Sequence, residues 1–348
     1  MQYRELGSTN VLVSRLCLGT GAFGFNESWA GDLAATPEAE AFRIMDAALD
    51  LGITFFDTAN VYGNHGRGTS GDTERILGRW FAQGGGRREK VFLGTKVGRT
   101  MLDNDFDGPN TRDGLSLWKI RRHVEESLRR LQTDHVELLA MHRIDRGAQW
   151  DQLWEAFEGF VHAGKVDYIG SSQSYAWELM KAQEVARRRH FMGLVSTQHR
   201  YDMLTREAEI EAFPCAIDQG IGVLLFSPLR RGVFAVDLLE PDDHPIHESD
   251  IGYVEAYRPQ LIEFAKLCHD LGRRPAVVHT AWQLTQQAIT APIIGPATVG
   301  ELEELVQSVD LELTPDVLAE IDRIFPPPGD HFYPENQDPR IVRPLSWA

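Results

Sequence analysis

The chain has 348 residues, of which 43% are hydrophobic and 25% charged, and its formal net charge is −16. This is an ordinary globular composition, long enough to bury a large core. The acidic balance argues against nucleic acid or an anionic membrane as the main partner, and no run approaches the roughly 20 apolar residues of a membrane span.

The start, Met1-Gln2-Tyr3-Arg4-Glu5, is polar and lacks the apolar stretch of a secretory signal. Cys17, Cys215 and Cys268 form no CxxC pair and are expected to be reduced thiols of a cytoplasmic protein. Tyr3–Leu6 and Leu12–Ser14, on either side of Ser8-Thr9-Asn10, predict a β-hairpin able to plug the base of a barrel.

From there short apolar runs alternate with helical periods. The predicted strands are Leu16–Leu18, Thr54–Phe56, Val91–Leu93, Val136–Ala140, Tyr168–Ile169, Leu194–Ser196, Gly222–Phe226 and Ala291–Ile294. Helices are expected at Glu38–Leu51, Ile120–Leu131, Trp150–Ala163, Ala176–Arg189 and Glu207–Gln219. Pro259–Leu271 and Ala276–Gln287 follow, both between the seventh and eighth strands, then Val299–Val309 and an extra outer helix, Pro315–Phe325. The tail from Pro326, rich in proline and polar residues, is expected to be an arm (326–348) of a single domain spanning 1–348.

Eight β/α units leave two architectures, a closed (β/α)8 TIM barrel and a doubly wound open sheet. The segment Leu18-Gly19-Thr20-Gly21-Ala22-Phe23-Gly24 is a weak match to the G-x-G-x-x-G fingerprint, and no acidic residue ends the second strand in the matching role. Gly84-Gly85-Gly86 reads as a linker after a helix.

In a barrel, chemistry belongs at the C-terminal strand ends. The second strand ends at Asp57, with Tyr62 five residues on; the third ends at Lys96 and the fourth at His142. Each alone is an ordinary turn, packing or surface residue, but four ionisable groups at three successive strand ends would face one opening. Their chemistry is complementary. A carbonyl accepting hydride needs a proton donor for its developing alkoxide. Tyr62 would be that acid/base, and Lys96 would lower its pKa. Asp57 would counter the buried ammonium, and His142 would orient and polarise the carbonyl.

At these residues the sequence resembles the aldo-keto reductase superfamily. The resemblance is carried by Tyr3-Arg4-Glu5-Leu6-Gly7-Ser8-Thr9, Phe56-Asp57-Thr58-Ala59, Gly94-Thr95-Lys96, Ser127-Leu128-Arg129-Arg130-Leu131 with Thr133-Asp134, Gly164-Lys165-Val166 and Ile169-Gly170-Ser171-Ser172. It runs from about Met1 to Phe325 and is nearest to bacterial members, including nucleotide-hexose 2,3-enoyl reductases. It implies a TIM barrel using NAD(P)(H). It also implies cofactor residues: Ser172 and Gln198 for the nicotinamide carboxamide, Gln173 where Asn is usual, and Phe226 under the ring. Ser227, Leu229 and Gly232 match the pyrophosphate loop, while Gly295 and Thr298 open a helix suited to phosphate. Gly19 and Thr20, ending the first strand, complete the set with Glu301.

Relatives that use NADP place a basic residue where this chain has Ala297, and often Arg or Gln where it has Glu301; Leu305 replaces a frequent Asn. These departures lean toward NAD, unless Arg230 or Arg231 compensates. The reaction implied is reduction of an aldehyde or ketone, or its reverse, on a small, sugar-derived or other carbonyl. Two alternatives stay open: hydride delivery to a C=C bond in deoxysugar metabolism, and a non-enzymatic subunit sensing its bound cofactor.

Arg67, Arg99, Arg112, Arg143, Arg146 and Arg200 lie in loops expected at the mouth; they would bind an anionic substrate or pair with Asp103, Asp105, Asp107 and Asp145. Trp29, Trp118 and Phe332 would wall the site or simply pack. Asp242-Asp243-His244-Pro245-Ile246-His247-Glu248 is a chance match to a metal site, and no metal is expected.

Overall fold

The computed structural model describes residues 1–24, 36–64, 69–101, 105–240 and 246–329. Eight parallel strands close on themselves in chain order. They are β1 (Cys17–Gly19), β2 (Phe55–Asp57), β3 (Phe92–Val97), β4 (Val136–Met141), β5 (Val166–Ser172), β6 (Leu194–His199), β7 (Gly222–Leu225) and β8 (Ile289–Ile294). The first strand pairs with the last, Cys17 opposite Ile293 and Leu18 opposite Ile294. The architecture is therefore the (β/α)8 TIM barrel and not the open sheet.

Side chains alternate across each strand. Phe55 joins Leu6, Val13, Cys17, Leu138, Val195 and Leu224 in a core inside the barrel. Its neighbour Phe56 faces outward and stacks on Trp80, ring centroids 5.8 Å apart. That outer layer is built by helices α1 (Glu38–Asp50), α2 (Asp72–Phe81), α3 (Leu117–Leu131), α4 (Trp150–His162), α5 (Ala176–Arg188) and α6 (Ala212–Asp218). Helices α7 (Glu248–Ala256), α8 (Arg258–Asp270), α9 (Pro275–Thr285), α10 (Val299–Val306) and α11 (Pro315–Ile324) complete it.

The predicted hairpin is present: Tyr3–Glu5 runs antiparallel to Leu12–Ser14. Leu6 and Val13 are fully buried in the inner core. The turn approaches the start of β7 closely. Gly7 has φ +58°, a Cβ on it would overlap the Gly220 carbonyl oxygen, and Ser8 N donates to that oxygen at 2.9 Å. Only glycine fits this contact. The N-terminal end of the barrel is thus sealed, and the C-terminal strand ends remain open.

Several elements differ from the sequence pattern. No helix is given bounds by that pattern between the second and third strands, although one is implied before Gly84, and Asp72–Phe81 is helical. Gly78 serves packing: a Cβ there would overlap the Arg130 carbonyl oxygen at the end of α3. The single helix expected over Glu207–Gln219 is split into a 3-10 turn, Glu207–Glu209, and α6. Pro214 is the cause, since it cannot donate to the carbonyl four residues back and its ring crowds that group. Helix α7 occupies part of what reads as a long loop, and Val299–Val309 changes from α to 3-10 geometry at Gln307. The tail is described only to Gly329, so the arm, like Trp29, Arg67, Asp103, Asp242, Asp243, His244 and Phe332, lies outside the described residues.

Gly78→Ala is expected to cost about 1–3 kcal/mol through overpacking of α2 on α3. Chemical denaturation followed by circular dichroism measures this; an unchanged midpoint would mean the helices separate freely.

Candidate active site

The strand ends bring the four predicted residues together. Asp57 closes β2 and Lys96 lies on β3, where the register sets Asp57 opposite Gly94 and Lys96 opposite Ala140. His142 directly follows β4, and its N–H donates to Val97 O at 2.9 Å. Tyr62 arrives on the loop after β2. Its carbonyl accepts from Gly71 N at 2.9 Å and Thr73 N at 3.4 Å, so the start of α2 holds it in place.

Lys96 is 2% exposed, and its ammonium has three donors to satisfy. Nζ donates to Asp57 Oδ2 at 2.5 Å, to Thr58 O at 2.9 Å and to Tyr62 OH at 3.4 Å. The other Asp57 oxygen accepts from Gln198 Nε2 at 2.8 Å. The Tyr62 and His142 rings meet edge to face, centroids 5.8 Å apart and planes at 85°. Phenol, ammonium, carboxylate and imidazole therefore surround one corner of the open end.

Electrostatics there corrects one expectation. Burial pulls Lys96 down, but the Asp57 carboxylate and the Tyr62 oxygen outweigh it, and the amine ends above the usual lysine value. The Tyr62 phenol is raised rather than lowered. Burial is the largest cause, Asp57 adds to it, and Lys96 with Arg99 only partly offsets it. A phenol held this way is neutral at pH 7 and can act as a proton donor.

A cavity of about 1520 Å³ opens over this corner and extends across the barrel. That exceeds the roughly 300–1,000 Å³ of common ligand pockets, giving room for an extended cofactor beside a substrate. Gly19, Ser172, Gln173, Gln198, Phe226, Ser227, Leu229, Gly232, Gly295 and Glu301 line it. Thr20 and Thr298 do not. Thr20 is buried and its hydroxyl donates to Asp57 O at 3.1 Å. Thr298 caps α10 by accepting from Glu301 N at 3.2 Å.

The lining fits a nicotinamide cofactor in a specific way. Gln198 uses its amide N–H on Asp57, leaving Oε1 for a carboxamide, with Ser172 opposite it in register. Gln173, Ser227 and Arg231 have φ of 56°, 48° and 48°. Non-glycine residues rarely adopt this geometry, and it gathers where backbone is held for a ligand.

Basic and aromatic side chains sort as follows. Arg230 is buried and tied to Asp202, Nη1 to Oδ2 at 2.7 Å, and Arg231 pairs with Asp250 at 2.6 Å. Neither offers an uncommitted guanidinium. Arg99, Arg143, Arg146 and Arg200 line the cavity, and Arg112 does not. Trp118 lies under the Arg122 guanidinium at 4.5 Å, away from the cavity. His247 caps α7 by accepting from Ser249 N at 3.2 Å, and no cluster of three or more metal-ligating side chains occurs among the described residues.

Two contributions escape the sequence pattern. Arg274 and Glu304 line the cavity beside Glu301, 3.5 Å apart, and only the closure of the barrel brings them there. His123 stands behind the site, with Nε2 at 2.7 Å from Asp107 and Nδ1 at 3.0 Å from Asn60 Nδ2, and so anchors the loop that carries Tyr62.

Eight closed parallel strands with an ion-paired lysine beside a phenol at their open end define a (β/α)8 barrel with a polar site at the C-terminal strand ends. Comparison with known proteins specifies it: residues 15–325 match the Aldo/keto reductase family, and the chain belongs to that family. It is 51% identical over 329 residues, covering 94% of this chain and 97% of the relative, to an uncharacterized oxidoreductase, YrpG, of Bacillus subtilis (strain 168). It is 30% identical over 338 residues to the aldo-keto reductase AMT2 of Alternaria alternata, covering 90% and 88%. With versiconal hemiacetal acetate reductase of Aspergillus parasiticus it shares 29% over 357 residues, covering 95% and 99%. The protein is a carbonyl-reducing oxidoreductase of a family that uses NAD(P)(H). No helix among the described residues is long and apolar enough to cross a membrane.

Breaking the buried pair by Asp57→Asn or Lys96→Met is expected to cost about 3–5 kcal/mol in each single variant. The double variant should lose less than the sum, which a denaturation cycle reads directly. Costs that add to within about 0.5 kcal/mol would show the two groups uncoupled.

Proposed function

We propose that the protein reduces an aldehyde or ketone to an alcohol, or runs the reverse, with Tyr62 as the proton donor and acceptor. The observation that carries this is the 3.4 Å approach of Lys96 Nζ to Tyr62 OH, with Asp57 on the far side of the amine. When bound, the reduced nicotinamide supplies the hydride. Tyr62 gives its proton to the carbonyl oxygen as charge grows there. Lys96 stabilises the phenolate that remains, and Asp57 keeps the ammonium charged and aimed. His142, edge to face with Tyr62, donates to the same oxygen and fixes its direction.

The cofactor residues are those that the family resemblance implies and that line the cavity. Ser172 and Gln198 take the carboxamide, and Phe226 supports the ring. Gln173 reaches from its left-handed backbone where a shorter amide would otherwise serve. Ser227, Leu229 and Gly232 hold the pyrophosphate, while Gly295 and Glu301 line the adenosine end.

At that end the chain accepts NADH at least as well as NADPH. Glu301, whose carboxylate accepts from Ala297 N at 2.8 Å, stands where relatives often have Arg or Gln and would repel a 2′-phosphate. Arg274 is the opposing influence, but it faces Glu304.

Tyr62→Phe should lower reductive turnover by at least about 100-fold, the scale of general acid catalysis, while cofactor still quenches protein fluorescence with little change in affinity. Turnover within a few fold of the parent would remove Tyr62 as the donor. Fluorescence titration of NADH and NADPH into the parent protein tests the preference; affinity about tenfold greater for NADPH would overturn it.

A further inference from the structure

We propose that the carbonyl substrate also carries an oxyanion, a carboxylate or phosphate, held by Arg143 and Arg99 above Tyr62 and His142. This inference rests on the carbonyl reductase reading above. The strand register puts the ends of β3 and β4 at one level, and one arginine follows each end within two residues. β3 and β4 run in step, Lys96 opposite Ala140 and Val97 opposite Met141. The pairing continues one residue further, since His142 N donates to Val97 O. Arg99 lies two residues past Val97 and Arg143 two past Met141. Both line the cavity that holds the phenol.

Commitment separates the basic side chains at this mouth. Arg146 is paired with Glu178 at 2.7 Å and Arg200 with Asp250 at 3.2 Å. Both of those carboxylates are buried; releasing Arg146 would leave Glu178 without an ion pair among the described residues, and Arg200 shares Asp250 with Arg231. Arg99 has a looser partner, Asp113 at 3.3 Å, which Thr100 also occupies through its N–H at 2.6 Å and its hydroxyl at 2.8 Å. Arg143 is exposed and has no hydrogen bond or ion pair among the described residues. The acid nearest it in sequence, Asp145, accepts instead from Gly147 N and Leu115 N, both at 2.8 Å.

A guanidinium without a carboxylate stands out in a chain with 51 acidic side chains against 35 Lys and Arg. Here it sits on the rim of a cavity, where it can present two parallel N–H donors to an oxyanion. Arg99 lies three positions past Lys96, beyond the end of β3 at Val97. The anion therefore lies several bonds from the reacting carbonyl. An aromatic aldehyde with a para carboxylate spans this, and so does a three-carbon aldehyde phosphate.

Two substrate pairs test the inference with either cofactor: 4-carboxybenzaldehyde against 4-methylbenzaldehyde, and glyceraldehyde 3-phosphate against glyceraldehyde. The parent protein should favour the anionic member of at least one pair by about tenfold in kcat/KM, mainly through KM, and the responding pair names the anion. In Arg143→Ala that ratio should fall at least fivefold, with Arg143→Lys between. Both members are assayed on the same preparation, so partial unfolding lowers both rates and leaves the ratio alone. No anionic preference in the parent, or an unchanged ratio in Arg143→Ala, overturns the inference while turnover of the neutral aldehydes keeps the reductase reading. Absence of turnover on all four overturns both.

Discussion

A buried ammonium must find an acceptor for each of its N–H groups, and Lys96 finds all three on the chain that ends β2. Asp57 and Thr58 take two, and Tyr62 takes the third. Folding the loop around the amine and placing the phenol beside it are the same event. A tyrosine on a loop would ordinarily be mobile. Here its hydroxyl shares the hydrogen-bonding of a side chain that cannot be left unpaired without a cost of several kcal/mol.

The rest of the scaffold supports that arrangement from behind. Glu74 of α2 is fully buried and accepts from Thr95 of β3 at 2.7 Å and from Arg130 of α3 at 2.8 Å. It ties α2 to the strand that bears Lys96. The first residues of α2 in turn hold the Tyr62 carbonyl. On the other flank, Asn60 is fixed by His123 and, through it, by Asp107. Two polar connections thus run from the helical layer to one loop, each crossing an otherwise apolar core.

The parts legible in the sequence were those set by local period and by residue type at strand ends. Eight apolar runs marked the eight strands, and Asp57, Lys96 and His142 followed three of them closely enough to predict one convergent site. What escaped depended on contacts across the barrel. The role of Gly78 shows only when the Arg130 carbonyl is seen against it. Arg274 reads as an ordinary residue before a proline until closure sets it opposite Glu304. Thr20 and Thr298, expected among the cofactor residues, use their hydroxyls within the fold itself. The direction of the Tyr62 shift required a weight for burial that no residue list supplies.

The plug at the barrel's base also constrains how the molecule can be made. Gln2 donates to Val309 O at 2.9 Å, Arg4 to Ile289 O at 2.9 Å, and β1 pairs only with β2 and β8. These contacts join segments far apart in the chain, 307 positions for Gln2 and 285 for Arg4. Such long-range closure is slow to find, and until it is made the folding chain exposes one unsealed strand edge and an open floor.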